Sequence, residues 1–311
     1  MKNDYPSLRL VDRLRDLSYW PGLLQLKYSF RQLQALAHYR EFQQLRHLLA
    51  TLPLGALLES QPRFLYKFLG YYAANSFARP VRHAIILHHY RYLGARLQPD
   101  FFALVATRPV IWQQQAADAD FSIRLSFPFK GWNEGELSLS FFRNDTLLQM
   151  LTFVIVPGAV VGAPAPHALL VCQVQGTRET ESIRLATKAL HDITPAHLLV
   201  HAAYGVAVAL RIQHAAGVST QERLRDGPKC HFDYDTFWQQ FQGQRLANHL
   251  YLLDVEAPEK PLEEVKAKYR PRTLRKRYYK QLLRQAVAQH WQATYLPAPA
   301  QVPVGSALAL A

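Results

Sequence analysis

Three side chains capable of proton transfer recur along one segment of the chain. His197, His201 and Tyr204 stand at i, i+4 and i+7, which places them in one stripe on a helix that is otherwise almost entirely apolar from Leu198 to Leu210. Histidine exchanges a proton near neutral pH, so the stripe is a candidate catalytic site. The alternative is a pair of core histidines held by hydrogen bonds. We reject a zinc site because Leu198 stands where the helical zinc-protease motif requires glutamate.

A glycine turn just upstream has the features of an anion site. Gln175 and Gly176 end an apolar run and are followed at once by Thr177 and Arg178. The first N–H groups of a helix have no internal partners and lie at the positive end of its dipole, so a phosphate can bind there. The alternative is an ordinary turn between a strand and a helix that binds no ligand, because the carboxylates of Glu179 and Glu181 would satisfy the same N–H groups.

The helix predicted over 180–191 separates an apolar face from a basic one. Ile183, Ala186 and Leu190 share the apolar side, which we expect to pack on the core. Arg184 and Lys188 lie on the other side with His191, and this stripe could extend phosphate contacts that begin at the turn. The competing interpretation is a solvated surface.

The strands that position these residues follow from the hydrophobic pattern. The run from Ala168 to Val174 is apolar without alternation, which predicts a strand buried on both faces. Thr194 and Pro195 supply an N-cap and a first helical residue for the polar-striped helix. Upstream, alternating residues from Phe121 to Val156 predict a meander with a hairpin turn at Asn144-Asp145. Glu134 lies in the turn before that hairpin and is a possible general base or a solvated carboxylate.

The whole chain is predicted to be an α+β protein. N-terminal helices precede a mixed, largely antiparallel sheet with a strand-turn-helix order, and a basic helix follows. The expected divisions are a helical region over 1–105, an α/β core over 106–257, a basic amphipathic tail over 258–295 and a disordered end over 296–311.

Composition and cysteine usage favour a cytoplasmic protein. The 311 residues include only two cysteines, Cys172 and Cys230, which gives no disulfide framework. The N-terminus has charges throughout and no apolar core of a signal peptide. The longest apolar tract, Leu147 to Ala165, is interrupted by proline and glycine and is too short to span a membrane.

The positive charge is concentrated near the C-terminus. The formal net charge is +13, and more than half of this excess lies from Lys260 onward. A basic amphipathic helix predicted from Pro271 to Tyr295 can lie on an anionic membrane surface, or it can be a packed helix with a positive exterior. Nucleic-acid binding is a weaker option, because no helix-turn-helix, zinc-finger or RNP pattern is present.

A series of short motifs resembles the VirK/YbjX family of Gram-negative bacteria over about residues 20 to 290. The resemblance is to a family linked to envelope integrity, surface-protein localisation and resistance to antimicrobial peptides. After His191 the family's usual Gly-x-Arg-Pro appears as Asp192-Ile193-Thr194-Pro195. The motifs are Arg82 with His89-Tyr90, Glu134-Gly135, Gln175-Gly176, Arg184 with Thr187-Lys188 and His191, Tyr234-Asp235 with Phe237-Trp238, and Lys268, Arg270 and Arg275 to Tyr278.

The order of meander, buried strand, turn and helix is also similar to the core of GNAT-type acyltransferases. That resemblance implies an acyl-CoA donor whose pyrophosphate rests on the N–H groups of Gly176 to Arg178, assisted by Arg184 and Lys188. It further implies a general base among His201, Tyr204 and His89, with a tyrosine able to protonate a leaving thiolate. The second helix, which begins at Pro195, departs from the GNAT pattern.

Two functional hypotheses therefore come from the sequence. One is a cytoplasmic acyltransferase that acts on an envelope precursor or a protein. The other is a non-catalytic protein that docks on the inner face of the membrane through its basic C-terminal helix.

Overall fold

The computed structural model describes residues 36–55, 62–116, 119–128, 133–224 and 232–297, together with Gln34 and Leu58. Cys230, the residues before Gln34 and the end of the chain from 298 lie outside this part. So does most of the tail that we expect to be disordered.

One eight-stranded sheet organises the fold, in the order β1-β2-β3-β4-β5-β6-β8-β7. The first five strands form an antiparallel meander, β5 pairs parallel with β6, and the last pairs are antiparallel. The strands are β1 Val110–Ala116, β2 Ala119–Ser126, β3 Leu137–Arg143, β4 Thr146–Pro157, β5 His167–Gly176, β6 His214–Val218, β7 Gln244–Arg245 and β8 Leu250–Asp254.

Seven α-helices accompany the sheet in the described residues. They are α1 Tyr39–Ala50, α2 Arg79–Arg96, α3 Phe101–Ala106, α4 Thr180–Ala189, α5 Pro195–Ala209, α6 Tyr234–Gln239 and α7 Arg270–Tyr295. Short 3₁₀ helices cover Pro62–Leu69, Gly158–Val161, Leu262–Glu264 and Ala267–Tyr269. The α+β class and the strand-turn-helix order predicted from the sequence are confirmed.

Strand β5 is the buried centre that its sequence predicts. Every residue from Ala168 to Val174 is buried, and β5 has β4 on one side and β6 on the other. The hairpin turn before β4 is also confirmed, since Asn144 takes the positive φ of 52° that such a turn requires.

Helix α5 packs closely against the basic helix α7. Thr194 caps α5 by accepting a hydrogen bond from the His197 N–H, and Pro195 occupies the first turn, as predicted. A Cβ added at Gly205 would lie 2.6 Å from the carbonyl oxygen of Arg284, so glycine is what allows the two helices to approach. One apolar core joins residues from α1 through the sheet to α7. The domain boundaries remain predictions.

Three local expectations differ from the structure. Within the N-terminal region predicted to be helical, the apolar pattern from Phe64 to Asn75 predicts an α-helix, but the structure has a short 3₁₀ helix that ends at Leu69. Helix α4 ends at Ala189 rather than His191, because His191 and Asp192 both take φ near 57°, which breaks the helix. Strand β1 was not identified as a strand, since its run of three glutamines has no apolar alternation.

Candidate functional site

The central strands separate at the C-terminal end of β5. The parallel pairing of β5 with β6 ends at Val171 and Gly217, while β5 continues to Gly176 and β6 ends at Val218. Beyond Val171, β5 therefore has no strand on that side among the described residues. Polar backbone groups at such an open edge can pair with a ligand or a side chain.

Tyr234 enters this opening from α6. Its hydroxyl donates to the carbonyl oxygen of Val174 at 3.2 Å and accepts from the Val174 N–H at 3.0 Å. Trp238 fixes α6 on β6, because its indole N–H donates to the Val218 carbonyl oxygen at 2.8 Å. A Cβ at Gly217 would lie 2.2 Å from the same indole. The motif around Tyr234 and Trp238 thus builds one wall of the opening.

The turn after β5 lies at the surface, but one of its N–H groups is already used. Gly176 is exposed. The Thr177 N–H donates to the Leu148 carbonyl oxygen at 3.0 Å, because the turn continues the β4–β5 pairing. Thr177 therefore cannot give its N–H to a phosphate as the structure stands, which corrects the expectation that three successive N–H groups are available.

The basic stripe on α4 is partly neutralised by its own helix. Arg184 donates to both carboxylate oxygens of Glu181, at 2.5 and 2.8 Å, and both side chains are exposed. Arg178 and Lys188 are exposed beside it. The ring of His191 instead packs edge-on against Tyr279 of α7, with 4.7 Å between ring centroids. Of the predicted stripe, Lys188 remains as an exposed cation in the last turn of α4, while Arg178 is an exposed cation of the turn before the helix.

His201 and Tyr204 are brought together in a buried site beneath α7. Their rings lie 5.8 Å apart, Arg284 lies over the Tyr204 ring at 5.4 Å, and Arg284 Nη2 lies 3.3 Å from His201 Nδ1. His201 Nε2 and the Tyr204 hydroxyl have no hydrogen-bond partner among the described residues. Burial lowers the pKa of His201 well below its usual value, with Lys280 and Arg284 adding to the effect, so the ring is neutral.

Arg284 also determines the tautomer of His201. A guanidinium only donates hydrogen bonds, so His201 Nδ1 must accept and the neutral ring must carry its proton on Nε2. His201 is therefore arranged as a hydrogen-bond donor and not as a general base. A groove of about 500 Å³ runs along the same part of α7 and is lined by Lys280, Arg284, Glu256 and Glu259, among others.

His89 lies elsewhere, on α2 against β4. Its Nδ1 accepts a hydrogen bond from the Ile155 N–H at 3.0 Å, so its Nε2 likewise carries the proton. The side chain is fully buried, and its pKa is lowered well below the usual value by burial, with Lys67 and His88 adding to the effect. The three predicted catalytic residues therefore occupy two separate places.

A buried ionic cluster beside His89 was missed by the sequence analysis. Lys67 Nζ lies 3.0 Å from both oxygens of Glu136, and the hydroxyls of Tyr72 and Tyr90 each donate to Glu136 at 2.6 Å. All four side chains are fully buried. The pKa of each tyrosine is raised well above its usual value, by burial first and by Glu136 second, so both hydroxyls keep their protons. Glu134 also proves to be buried rather than solvated.

The described residues contain neither a metal-ligand cluster nor a membrane-spanning helix. No group of three or more histidine, cysteine, aspartate or glutamate side chains there is arranged to hold a metal ion. Within the same residues, no helix has both the length and the apolar character that crossing a membrane requires.

Comparisons with known proteins identify relatives over most of the chain. A family model described as "Protein of unknown function (DUF535)" matches residues 24–291. The uncharacterized protein YbjX of Escherichia coli K12 is 25% identical over 276 residues, which is 83% of this chain and 82% of YbjX. An uncharacterized protein of Haemophilus influenzae is 34% identical over 122 residues, 37% of this chain and 40% of that protein.

Among solved structures, two variants of a cAMP-binding acyltransferase from Mycobacterium smegmatis are similar to this chain. The sequence identities are 12% and 11%, and the TM-scores are 0.28 and 0.29. Each match covers 68% of this chain and 62% or 61% of the other, so the chain spans less than two thirds of those structures.

Proposed function

This chain belongs to the DUF535 family, the family of VirK and YbjX, and on that premise we propose that it is a cytoplasmic acyltransferase that modifies an envelope precursor or a protein. The donor is an acyl-CoA-type molecule, held where β5 separates from β6. The observation that carries the proposal is the open edge of β5 beyond Val171.

The chemistry of that edge suits such a donor. Beyond Val171 the main-chain groups of this central strand are not paired with β6, and the pantetheine arm of an acyl-CoA carries amides that can pair with them. Tyr234 now bonds the N–H and the carbonyl oxygen of Val174, so in this proposal the donor displaces its hydroxyl or binds beside it. Arg178 lies at the surface two residues beyond the end of β5, where a pyrophosphate can reach it, and Lys188 is exposed in the last turn of α4.

Acyl-CoA binding tests this proposal. A ligand that binds only the folded state raises the melting temperature, and saturation well above Kd corresponds to a shift of several degrees. We expect millimolar acetyl-CoA or a longer acyl-CoA to give such a shift, and we expect Arg178→Glu with Lys188→Glu to reduce it. Both changes lie on exposed side chains, so the fold should be kept.

The matched control is Arg46→Glu, a charge reversal at an exposed residue of α1. It should leave the acyl-CoA shift unchanged. If no acyl-CoA changes the melting temperature at millimolar concentration, the donor assignment is wrong.

A second proposed function, docking on an anionic membrane surface, is favoured by the exposed side of α7. Leu274, Tyr278 and Leu282 stand at i, i+4 and i+8 and are 48%, 64% and 43% exposed. Arg275 is exposed on the same side, and Lys268 lies just before the helix. Apolar side chains flanked by cations are the pattern of a helix that lies in a membrane interface.

Vesicle binding distinguishes this docking function. We expect the protein to bind vesicles that contain phosphatidylglycerol, to bind phosphatidylcholine vesicles less well, and to be released by salt. Lys268→Glu with Arg275→Glu should weaken binding at least tenfold, since each basic residue near an acidic surface contributes about 1 kcal/mol.

A second double variant tests the apolar contribution to vesicle binding. Tyr278→Ser with Leu282→Ser should weaken binding without changing its salt dependence, because it removes only apolar contact. Arg277→Glu is not a suitable probe, since Arg277 is paired with Glu259 at 3.1 Å. Binding that survives both the charge reversal and the serine changes would exclude α7 as the docking surface.

A further inference from the structure

One face of the sheet carries polar side chains in cross-strand register. Ser126 of β2 pairs with Ser138 of β3, Ser138 pairs with Thr152 of β4, and Thr152 pairs with Gln173 of β5. Directly paired residues point to the same face, so these four side chains form a row across four strands. A second row runs beside the first. Ser140 of β3 pairs with Met150 of β4, and Met150 pairs with Gln175 of β5.

These polar groups are buried without hydrogen-bond partners. Ser126, Ser138, Ser140 and Gln173 are at most 5% exposed. The three serine hydroxyls and the side-chain carbonyl oxygens of Gln173 and Gln175 have no partner among the described residues. Thr152 is the exception, because its hydroxyl donates to the Glu134 carbonyl oxygen at 2.5 Å.

The opposite face of the same strands is also buried, and its side chains at the matching positions are apolar. Leu125, Leu139, Leu151 and Val174 form the matching row on that face, and all are apolar and buried. A buried polar group without a partner destabilises the fold, so a sequence selected for stability alone would place apolar residues on both faces. The polar face is therefore suited to an occupant that supplies the missing hydrogen bonds.

The chemistry of the face selects among ligands. Its polar groups without a partner among the described residues are hydroxyls, which both donate and accept, amide oxygens, which only accept, and the Nε–H of Arg124, which lies across from Ser140 and only donates. The guanidinium of Arg124 is paired with the Asp145 carboxylate at 3.6 Å, so its charge does not call for an anionic ligand. Lys67 is engaged by Glu136. The ligand that fits is uncharged and brings several O–H donors.

We propose that this polar face, defined by Ser126, Ser138, Ser140, Gln173 and Gln175, binds a hydroxyl-rich ligand, a sugar or another polyol. Gln175 immediately precedes Gly176, so the face reaches the end of β5 where the acyl donor is proposed to bind. The polyol-binding proposal does not depend on the acyltransferase proposal. If both proposals are correct, a hydroxyl of the polyol receives the acyl chain from the donor.

Serine removal tests the proposal through two opposite readouts. Ser138→Ala and Ser140→Ala delete hydroxyls that have no partner among the described residues, so each variant should melt at the same temperature as the parent or up to a few degrees higher. The same variants should weaken binding of the uncharged ligand probes, D-glucose and inositol, measured by saturation-transfer NMR. We expect a loss of at least fivefold for the sugar that binds best.

Thr152→Val is the matched control on the same row. Its hydroxyl is bonded to Glu134, so its removal should lower the melting temperature, in contrast to the serine variants. A fall in melting temperature at Ser138→Ala as large as that at Thr152→Val would show that the serines are structural, and this would overturn the proposal.

The probes also separate free from lipid-linked ligands. Binding of a free sugar supports a soluble ligand. Binding only to vesicles that carry a glycolipid, and not to plain phosphatidylcholine vesicles, supports a sugar headgroup, provided that Ser138→Ala with Ser140→Ala reduces it. If neither the free sugars nor the glycolipid vesicles bind, the polyol site is wrong. A melting-temperature shift with acyl-CoA in that case would show that the donor proposal does not depend on the polyol site.

Discussion

Replacing Lys67 with methionine is expected to lower the free energy of unfolding by about 3–5 kcal/mol, because it leaves the Glu136 carboxylate buried without its cation. Lys67 and Glu136 are both fully buried, and Nζ lies 3.0 Å from each carboxylate oxygen. The hydroxyls of Tyr72 and Tyr90 cannot replace the positive charge, although both continue to donate to Glu136. Urea unfolding at neutral pH measures the change.

Two comparisons show whether the loss comes from the unpaired charge. The double variant Lys67→Met with Glu136→Gln should recover much of the stability, because it removes both buried charges and keeps an amide oxygen that can accept from the tyrosine hydroxyls. Arg184→Ala breaks an ion pair at the surface and should leave stability unchanged within error. If Lys67→Met costs less than about 1 kcal/mol, the cluster does not behave as a buried ion pair.

The architecture was predictable where local chemistry and burial agree. The unbroken apolar run of β5, the cap at Thr194 with Pro195 and the turn at Asn144 each specify a local conformation, and the structure has all three. Strand β1 and the two-residue β7 were not predicted, because neither has a period that separates two faces. Their place in the sheet depends on partners that are distant in sequence.

The candidate site was less predictable, because its chemistry depends on contacts between distant residues. Glu136 and Lys67 are far apart in the sequence, and only the fold shows that they neutralise each other. Arg184 is an instructive case: the i, i+3 spacing to Glu181 was visible, and an ion pair at that spacing removes the cation from ligand binding. The serine row needs strand register, which the sequence of one strand does not contain.

Mild acid is expected to destabilise the protein steeply, because several histidines are held neutral inside it. The pKa of His197 is lowered to about 4, mainly by burial and then by Lys280. The pKa values of His89 and His201 are also lowered well below the usual 6.5, first by burial. In the unfolded chain these rings take up protons as the pH falls below about 6.5.

The sign of the pH effect follows from this difference. Below about pH 6.5 the unfolded state binds more protons than the folded state, so stability falls as the pH falls and is fully present above that value. Each neutral histidine contributes a slope of up to about 1.4 kcal/mol per pH unit, so the three together approach about 4 kcal/mol per unit. Carboxylates contribute little to this slope until the pH approaches their own lower pKa values.

Urea unfolding measured at several pH values between about 7.5 and 5 gives that slope, and single substitutions assign it. His89→Asn keeps an acceptor for the Ile155 N–H but cannot be protonated, so the slope should decrease by up to about 1.4 kcal/mol per pH unit even if the variant is less stable at neutral pH. His201→Gln should reduce the slope similarly, whereas His47→Gln, at an exposed position of α1, should not change it. A slope that is unchanged by His89→Asn would mean that His89 is accessible to protons in the folded protein. The ring would then not be enclosed between α2 and β4, and the case against His89 as a general base would fail with it.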